Sequence, residues 1–291
     1  MFAVLGVTGQ VGGAVARTLL QAGEPVRAVV RNEEKGRPWA ALGCELAFAD
    51  MDDADALAAA FAGTRGAFVM LPSNFDPQDG FPDTLRTVES LYRALEAARP
   101  GKVVCLSTIG AQVAEPNLLS KFVQVEARLG AVSSPVAFLR AAWFMENAAR
   151  DVCSAIDTGV ISSYLQPLDR RIPMVSTEDV GRAAADLLSL ENWAGRRVVE
   201  LEGPQRVSPG EIGAALASLL GREVRVEAVP KDAWDARFRA QGASNPGLRI
   251  RMLDGFNEGW IAFERSQAET GKGTVTLEAA LGRLVQKANA A

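Results

Sequence analysis

Short apolar runs alternate with longer helical patterns through the first half of the chain, and this alternation constrains the fold more than any other feature. The runs predict strands at Phe2–Val7, Pro25–Val30, Glu45–Ala49, Ala67–Leu71, Val103–Ser107 and Val136–Arg140. The stretches between them predict helices at 12–22, 53–62, 82–98 and 121–130. Apolar and polar residues do not alternate within the runs, which is typical of strands buried on both faces. Such strand–helix repetition indicates βαβ units on a parallel sheet.

The second half is less regular. Its patterns predict helices at 179–189 and 208–220, strands at 197–201 and 224–229, and a turn at Pro246 and Gly247. Ser208 and Glu211 have the spacing of a capping box, and Pro209 suits the first helical position.

The length of 291 residues favours one main domain with a smaller lobe. We therefore predict an α/β fold with a Rossmann-type, doubly wound parallel sheet and a smaller, mostly C-terminal lobe. The Rossmann domain is expected over 1–147, returning at about 173–225. Segments 148–172 and 226–291 are expected to form the substrate-binding lobe.

Composition narrows the possible partners. The net charge of −4 provides no basic footprint for nucleic acid or a membrane surface. No apolar run is long enough to span a bilayer, and the N-terminus lacks the features of a signal peptide. The three cysteines, Cys44, Cys105 and Cys153, lack the spacing of a metal or redox motif, and Cys105 has the surroundings of a core residue. We expect reduced thiols and a cytoplasmic location.

The chain contains no histidine. This excludes Ser–His and Cys–His nucleophilic catalysis, and we expect no metal site. Any acid–base chemistry must fall to Lys, Tyr, Asp, Glu, Cys or the substrate itself.

Three glycines punctuate the first strand–helix junction, at Gly6, Gly9 and Gly12. A strand that turns sharply into a helix and admits a pyrophosphate needs residues without side chains. The helix start near Gln10 would direct unpaired N–H groups at the phosphates. We assign Gly6, Thr8, Gly9, Gln10, Val11 and Gly12 to a dinucleotide cofactor. The alternative is a tight turn that binds no ligand.

The second predicted strand ends at Arg31, where an NAD site usually carries an acidic residue for the ribose 2′-hydroxyl. The guanidinium of Arg31 can instead bind a 2′-phosphate, and Lys35 can add a second positive charge. We therefore expect NADP(H) rather than NAD(H). The alternative is that Arg31 is a solvated loop charge.

Two further strand ends are assigned to the same cofactor, since ligands of open parallel sheets bind at the carboxyl ends of strands. Asp50 and Met51 follow the third strand, where a side chain can flank the adenine. Leu71, Pro72 and Ser73 follow the fourth, where the backbone can run past the cofactor.

Over most of its length the sequence resembles the NmrA-like group of atypical short-chain dehydrogenases/reductases. The resemblance is carried by GVTGQVGG, VVRN, CLSTIGA, SKFVQVEARLGAVSSPVAFLRAAWFMENA, MVSTEDVGRAAADLL and DGFNEGWIAFE. It implies a dinucleotide fold that binds NADP(H) or NAD(H). It also implies one of two activities: reduction of quinones, imines or dyes, or redox sensing without catalysis.

The resemblance matches Lys121 to the lysine of the short-chain dehydrogenases and implies that it holds the nicotinamide ribose as a catalytic residue. Ser107 matches the strand end that supplies their serine, and both Ser107 and Lys121 are assigned to the cofactor. Asn117 stands where their catalytic tyrosine is expected, and the two tyrosines, Tyr92 and Tyr164, lie elsewhere. The alternative for Lys121 is a surface helix lysine.

Aromatic residues are the candidates for the substrate wall. Trp143, Phe144 and Asn147 follow the sixth strand and are assigned to the substrate, although core packing would explain the aromatic pair as well. Phe256, Trp260 and Phe263 have helical spacing within Leu253–Glu264 and are expected to form a core face or, alternatively, a wall of the substrate lobe.

Two functions follow. The first is an NADPH-dependent oxidoreductase that transfers hydride to a small planar electrophile needing little acid help. The second is a non-catalytic NADP(H) sensor acting through a protein partner. A cofactor-free scaffold is a third possibility. The sequence leaves the oligomeric state open, and a homodimer is compatible with it.

Overall fold

The computed structural model describes residues 1–191, 193–267 and 269–290. The strands are β1 Phe2–Leu5, β2 Val26–Val30, β3 Glu45–Phe48, β4 Gly66–Val69, β5 Val103–Thr108, β6 Val136–Ala141, β7 Trp143–Phe144, β8 Val160–Ser163, β9 Met174–Val175, β10 Arg196–Glu202, β11 Arg225–Ala228 and β12 Gly271–Lys272. The α-helices are α1 Gln10–Gln21, α2 Glu33–Ala41, α3 Ala54–Phe61, α4 Pro82–Ala98, α5 Lys121–Leu129, α6 Ala149–Thr158, α7 Thr177–Ser189, α8 Pro209–Leu220, α9 Trp234–Ala240, α10 Gly247–Glu258 and α11 Leu277–Asn289.

Eight strands form one parallel sheet in the order β12-β10-β6-β5-β4-β1-β2-β3. This confirms the predicted Rossmann-type fold. The strand order reverses between β1 and β4, and a crevice for a ligand is expected at the carboxyl ends of the strands there. Two short pairs, β11 with β8 and β7 with β9, lie outside this sheet.

The first half follows the prediction closely, with one helix that was not expected. Helix α2 directly follows β2, so Lys35 lies inside a helix rather than a loop. Asn32 starts it by accepting a hydrogen bond from the N–H of Lys35. Gly36 and Pro38 have low helix propensity, and for this reason the sequence did not indicate α2.

The second half confirms the predicted strand at β10, the helices α7 and α8, and the capping box of Ser208 and Glu211. The expectation of one helical face over Leu253–Glu264 was wrong beyond Glu258. Gly259 adopts a left-handed conformation with a φ of 91° and ends α10, so Trp260 and Phe263 follow the helix.

Three buried apolar clusters organise the molecule. One lies between the sheet and the helices α1 and α7, and a second lies between the sheet and α3, α4 and α5, where Cys105 is buried as predicted. The third is the core of the lobe and joins α6 to α9, α10 and α11. Leu216 of α8 belongs to this third core. The division into domains stays a prediction.

Close packing of α1 depends on its glycines. A Cβ atom on Gly12 would overlap the Gly6 carbonyl and lie 2.6 Å from the carbonyl oxygen of Leu5. A side chain on Gly181 of α7 would likewise overlap Ala14. In the ranges the structure covers, no helix is long and apolar enough to cross a membrane.

Gly12→Ala is expected to lower the free energy of unfolding by about 1–3 kcal/mol, because backbone atoms cannot yield to the added methyl group. Gly282→Ala in α11 is the matched control. Its added Cβ would make an ordinary contact of 3.8 Å with Leu219, so stability should stay level or rise by up to about 1 kcal/mol. Urea denaturation measures both, and equal values for the two variants would contradict the packing argument.

Candidate functional site

The glycine loop forms a cradle of backbone groups between β1 and α1. Gly6 has a φ of 69°, which L side chains rarely adopt, and its carbonyl accepts a hydrogen bond of 2.9 Å from the N–H of Gly9. Helix α1 starts at Gln10 without a side-chain cap and without an acidic residue in its first turn. Its first N–H groups therefore have no helical acceptor, and the positive end of the helix carries no compensating carboxylate. The cradle fits a pyrophosphate.

The loop that follows β4 lies against this cradle. A Cβ atom on Gly6 would come within 2.7 Å of the Met70 sulfur, which shows how closely the two carboxyl ends approach. Leu71 is half-buried, and Pro72 and Ser73 are exposed directly after it. The structure therefore brings the predicted residues of β1 and β4 to one edge of the sheet.

Arg31 and Lys35 are both exposed at the carboxyl end of β2. Within the described ranges, no hydrogen bond or ion pair joins either side chain to another residue. Glu33 lies 3.9 Å from Arg37 and interacts with that residue. Two cationic side chains are thus available beside the cradle, as a 2′-phosphate requires.

In the turn after β3, aspartate side chains accept hydrogen bonds from nearby backbone N–H groups. Asp50 accepts a hydrogen bond of 3.1 Å from the N–H of Asp52, and Met51 packs partly buried against the core under α3 and α4. Asp53 caps α3. Asp50 and Met51 therefore line the same edge as the glycine loop but have local structural roles as well.

Lys121 is the first residue of α5, and its side chain is buried with only 6% of the residue exposed. Among the described residues, none accepts a hydrogen bond from its amine. Burial lowers the pKa of Lys121 because the charged form loses its hydration. The alternative of a surface lysine does not describe this side chain.

Asn117 is fully buried in the turn before α5, where its side chain is used locally. Its amide N–H donates to the carbonyl of Glu115 at 2.8 Å, and its amide oxygen accepts from the N–H of Leu119 at 2.7 Å. These bonds shape the chain that leads into α5, so Asn117 does not replace the missing tyrosine as a proton donor.

Neither tyrosine lies in the turn that leads into Lys121. Tyr92 lies on α4, and the guanidinium of Arg128 covers its ring. Tyr164 belongs to the lobe and stacks on Phe238, with ring centroids 4.8 Å apart.

Ser107 has a partner that the sequence analysis missed. Its hydroxyl donates a hydrogen bond of 2.6 Å to the buried carboxylate of Glu126 on α5. Arg140 of β6 binds both oxygens of that carboxylate, at 2.9 and 2.8 Å. The charged Arg140 within the apolar run PVAFLRAA was the available signal, since a charge in a buried strand requires partners.

The same arginine reaches the C-terminal segment. Arg140 donates to Glu264 at 3.0 Å and lies 3.6 Å from the buried Glu200. Glu200 in turn accepts the backbone N–H groups of Glu264 and Arg265. This network fixes the segment after α10 onto the edge of the sheet.

Aromatic side chains lie beyond the end of β6. Trp143 and Phe144 are half-buried, and Trp143 meets Phe256 of α10 edge to face with centroids 5.0 Å apart. Asn147 is exposed on the short 3₁₀ turn Met145–Ala148. Part of each ring in the Trp143–Phe144 pair therefore remains available to a ligand.

A family model described as the NmrA-like family matches residues 1–238. The chain belongs to the NmrA-like family. An NAD(P)H azoreductase from Xenophilus azovorans is 25% identical over 260 residues, which cover 89% of this chain and 85% of the relative.

Solved structures share the complete fold of this NmrA-like protein. An NADPH-dependent quinone oxidoreductase from Escherichia coli, complexed with NADPH, has a TM-score of 0.80 at 22% identity, with coverage of 98% of this chain and 99% of that chain. Triphenylmethane reductase from Citrobacter sp. has a TM-score of 0.77 at 21% identity, with coverage of 100% and 99%. The part of this chain that the structure describes holds no cluster of three metal-ligating side chains.

Lys121→Met separates function from stability. Because burial lowers the pKa of Lys121, the folded protein holds this proton less tightly than the unfolded chain, and the charged amine destabilises the fold at neutral pH. This penalty fades as the pH rises above the folded-state pKa. Removing the charge should therefore leave the Tm unchanged or higher, and weaken NADPH binding about 10-fold or more.

Calorimetry and a cofactor titration measure the two quantities. Lys287→Met removes an exposed charge on α11 and should change neither. A Lys121→Met protein with a lower Tm and unchanged NADPH affinity would contradict a binding role for this amine.

Proposed function

We propose that this protein is an NADPH-dependent oxidoreductase that reduces a small planar electrophile such as a quinone, an imine or a dye. The observation that carries the proposal is the glycine cradle between β1 and α1, together with the buried side chain of Lys121 at the start of α5. The azoreductase, quinone reductase and dye reductase names of its relatives agree with it.

The residues present fit the cofactor. The cradle of Gly6, Gly9 and Gly12 suits the pyrophosphate, Arg31 suits the 2′-phosphate, and Lys121 suits the hydroxyls of the nicotinamide ribose. When bound, NADPH supplies the hydride, and the protein supplies orientation and a site sheltered from water.

The residues near Lys121 in sequence favour one class of acceptor. Asn117 is used in its turn, and Ser107 donates to Glu126, so neither is free to protonate a developing alkoxide. Quinones and iminium ions are already electron-poor, and their reduction needs little acid catalysis. We therefore propose such acceptors rather than simple ketones.

Turnover is tested with the purified protein, NADPH and a panel of quinones, cyclic imines and cationic dyes, followed by the nicotinamide absorbance. We expect oxidation of NADPH with at least one of these classes and none with simple ketones. Tight NADPH binding without turnover on any acceptor would overturn the proposal in favour of the sensor. A lack of cofactor binding would leave a scaffold.

The cofactor preference is tested at Arg31. Arg31→Asp replaces attraction to a 2′-phosphate with repulsion and should weaken NADPH binding about 10- to 100-fold, with little effect on NADH. Arg37→Gln, an exposed change on the helix α2 that follows Arg31, is the control and should alter neither affinity. Equal losses for NADPH and NADH in the Arg31 variant would refute the 2′-phosphate role.

A further inference from the structure

The guanidinium of Arg249 in the lobe lies against aromatic rings and contacts no carboxylate of the described residues. Arg249 is the third residue of α10 and is half-buried. Its guanidinium lies 4.0 Å from the ring centroid of Phe238 and 5.7 Å from that of Phe75. Within the described ranges, no hydrogen-bond acceptor or carboxylate contacts it. The two rings orient the guanidinium but leave its N–H donors unused.

The electrostatic surroundings make this arrangement costly. Burial lowers the pKa of Arg249, because the charged form loses its hydration. Of the two ionisable groups that act on it, Tyr164 raises this pKa and the positively charged Arg150 lowers it. Helix α10 has no acidic residue in its first turn, and the nearby carboxylate of Asp76 accepts the N–H groups of Ser244 and Asn245 just before the helix.

Arg251, on the same helix, has the acidic neighbour that Arg249 lacks among the described residues. Arg251 lies 3.6 Å from the carboxylate of Asp254, and Lys231 lies 2.6 Å from it. Arg249, two residues earlier, has no such partner. None of its nitrogens is both buried and unbonded, so the donors without partners reach the surface. They are free to bind a ligand.

Two contacts place Arg249 beside the proposed substrate site. The N–H of Leu118 donates to the carbonyl of Leu248 at 3.0 Å, which joins the start of α10 to the turn leading into Lys121. Phe75 belongs to the loop that continues from Ser73 after β4. Arg249 therefore borders the edge of the sheet that carries the cofactor cradle.

Helix α10 also relates Arg249 to the aromatic wall. Phe256 follows Arg249 by two helical turns and lies on the same side of the helix, on the order of 10 Å away. Trp143 packs against Phe256.

We propose that Arg249 binds an anionic oxoacid group, such as a sulfonate, on a planar aromatic acceptor, and that the substrates of this protein are anionic aromatic electrophiles. This inference rests on the proposed reductase function and names its substrate class. Among the acceptors proposed above, it favours anionic quinones and places iminium ions and cationic dyes among the poor substrates, because Arg249 and Arg150 would repel them.

Equilibrium binding gives the first test. The full-length protein, with and without saturating NADP⁺, is titrated with anthraquinone sulfonate and with uncharged hydroxymethyl anthraquinone, using tryptophan fluorescence. We expect the sulfonate to bind at least about 10-fold more tightly than the neutral quinone, and Arg249→Gln to abolish that difference. Added salt should weaken only the sulfonate complex.

Two variants control the result. Arg237→Gln removes an exposed positive charge from the adjacent helix α9 and should keep the preference. Arg249→Lys keeps the charge without the planar fork and should restore part of it. Equal affinities for the two quinones in the unmodified protein, or a preference that survives Arg249→Gln, would overturn the proposal.

Steady-state kinetics distinguish a failure of the Arg249 proposal from a failure of the proposed reductase function. We expect Arg249→Gln to raise the KM for the sulfonated quinone about 10-fold or more and to leave the kinetics with the neutral quinone within about 2-fold. Selective sulfonate binding without NADPH oxidation would refute the reductase function but keep the Arg249 site. Reduction of both quinones with equal efficiency would keep the function and refute the site.

Discussion

The buried ion pair between Arg140 and Glu126 holds the functional end of the molecule together. A carboxylate and a guanidinium that leave water each lose several kcal/mol of hydration, so both persist only when their donors and acceptors are satisfied. Here the two-point contact, the hydroxyl of Ser107 and the nearby Glu200 meet that requirement. Sheet, helix α5 and the C-terminal segment are consequently fixed relative to one another.

That constraint determines what the site can do. Ser107 stands near the carboxyl end of β5, and its hydroxyl donates to Glu126. The turn before α5 uses the amide of Asn117 in the same way. Among the described residues, none accepts a hydrogen bond from the amine of Lys121, although most of its side chain is buried. Ser107 and Asn117 are thus occupied by other contacts, which agrees with the proposed preference for acceptors that need little acid catalysis.

The lobe adds selectivity to this arrangement. Its core joins α6 with α9, α10 and α11, and its surface places aromatic rings and an unpaired guanidinium near the carboxyl ends of the strands. Arg249 lies against two aromatic rings, and no acceptor among the described residues bonds its guanidinium. This is why we propose that it binds an anion, whereas Arg251 on the same helix already lies beside Asp254.

Local sequence was enough to predict the strands of the first half, the glycine loop and the capping box, because each depends on the requirements of a few adjacent residues. Gly6 must adopt a left-handed conformation, and Gly12 must leave room for a carbonyl. Helix α2 escaped prediction because Gly36 and Pro38 obscure its pattern, and α10 ends early because Gly259 turns left-handed.

The amino-acid sequence by itself determined the α/β architecture, the position of the cofactor cradle and the lack of a catalytic tyrosine beside Lys121. Tertiary structure alone decided that Lys121 is buried, that Ser107 serves Glu126 and that Arg249 has no acidic partner. The physical reason is separation along the chain. Burial and charge pairing depend on residues that the fold brings together from distant segments, such as Leu118 and Leu248. A local sequence pattern does not show which distant segments come into contact.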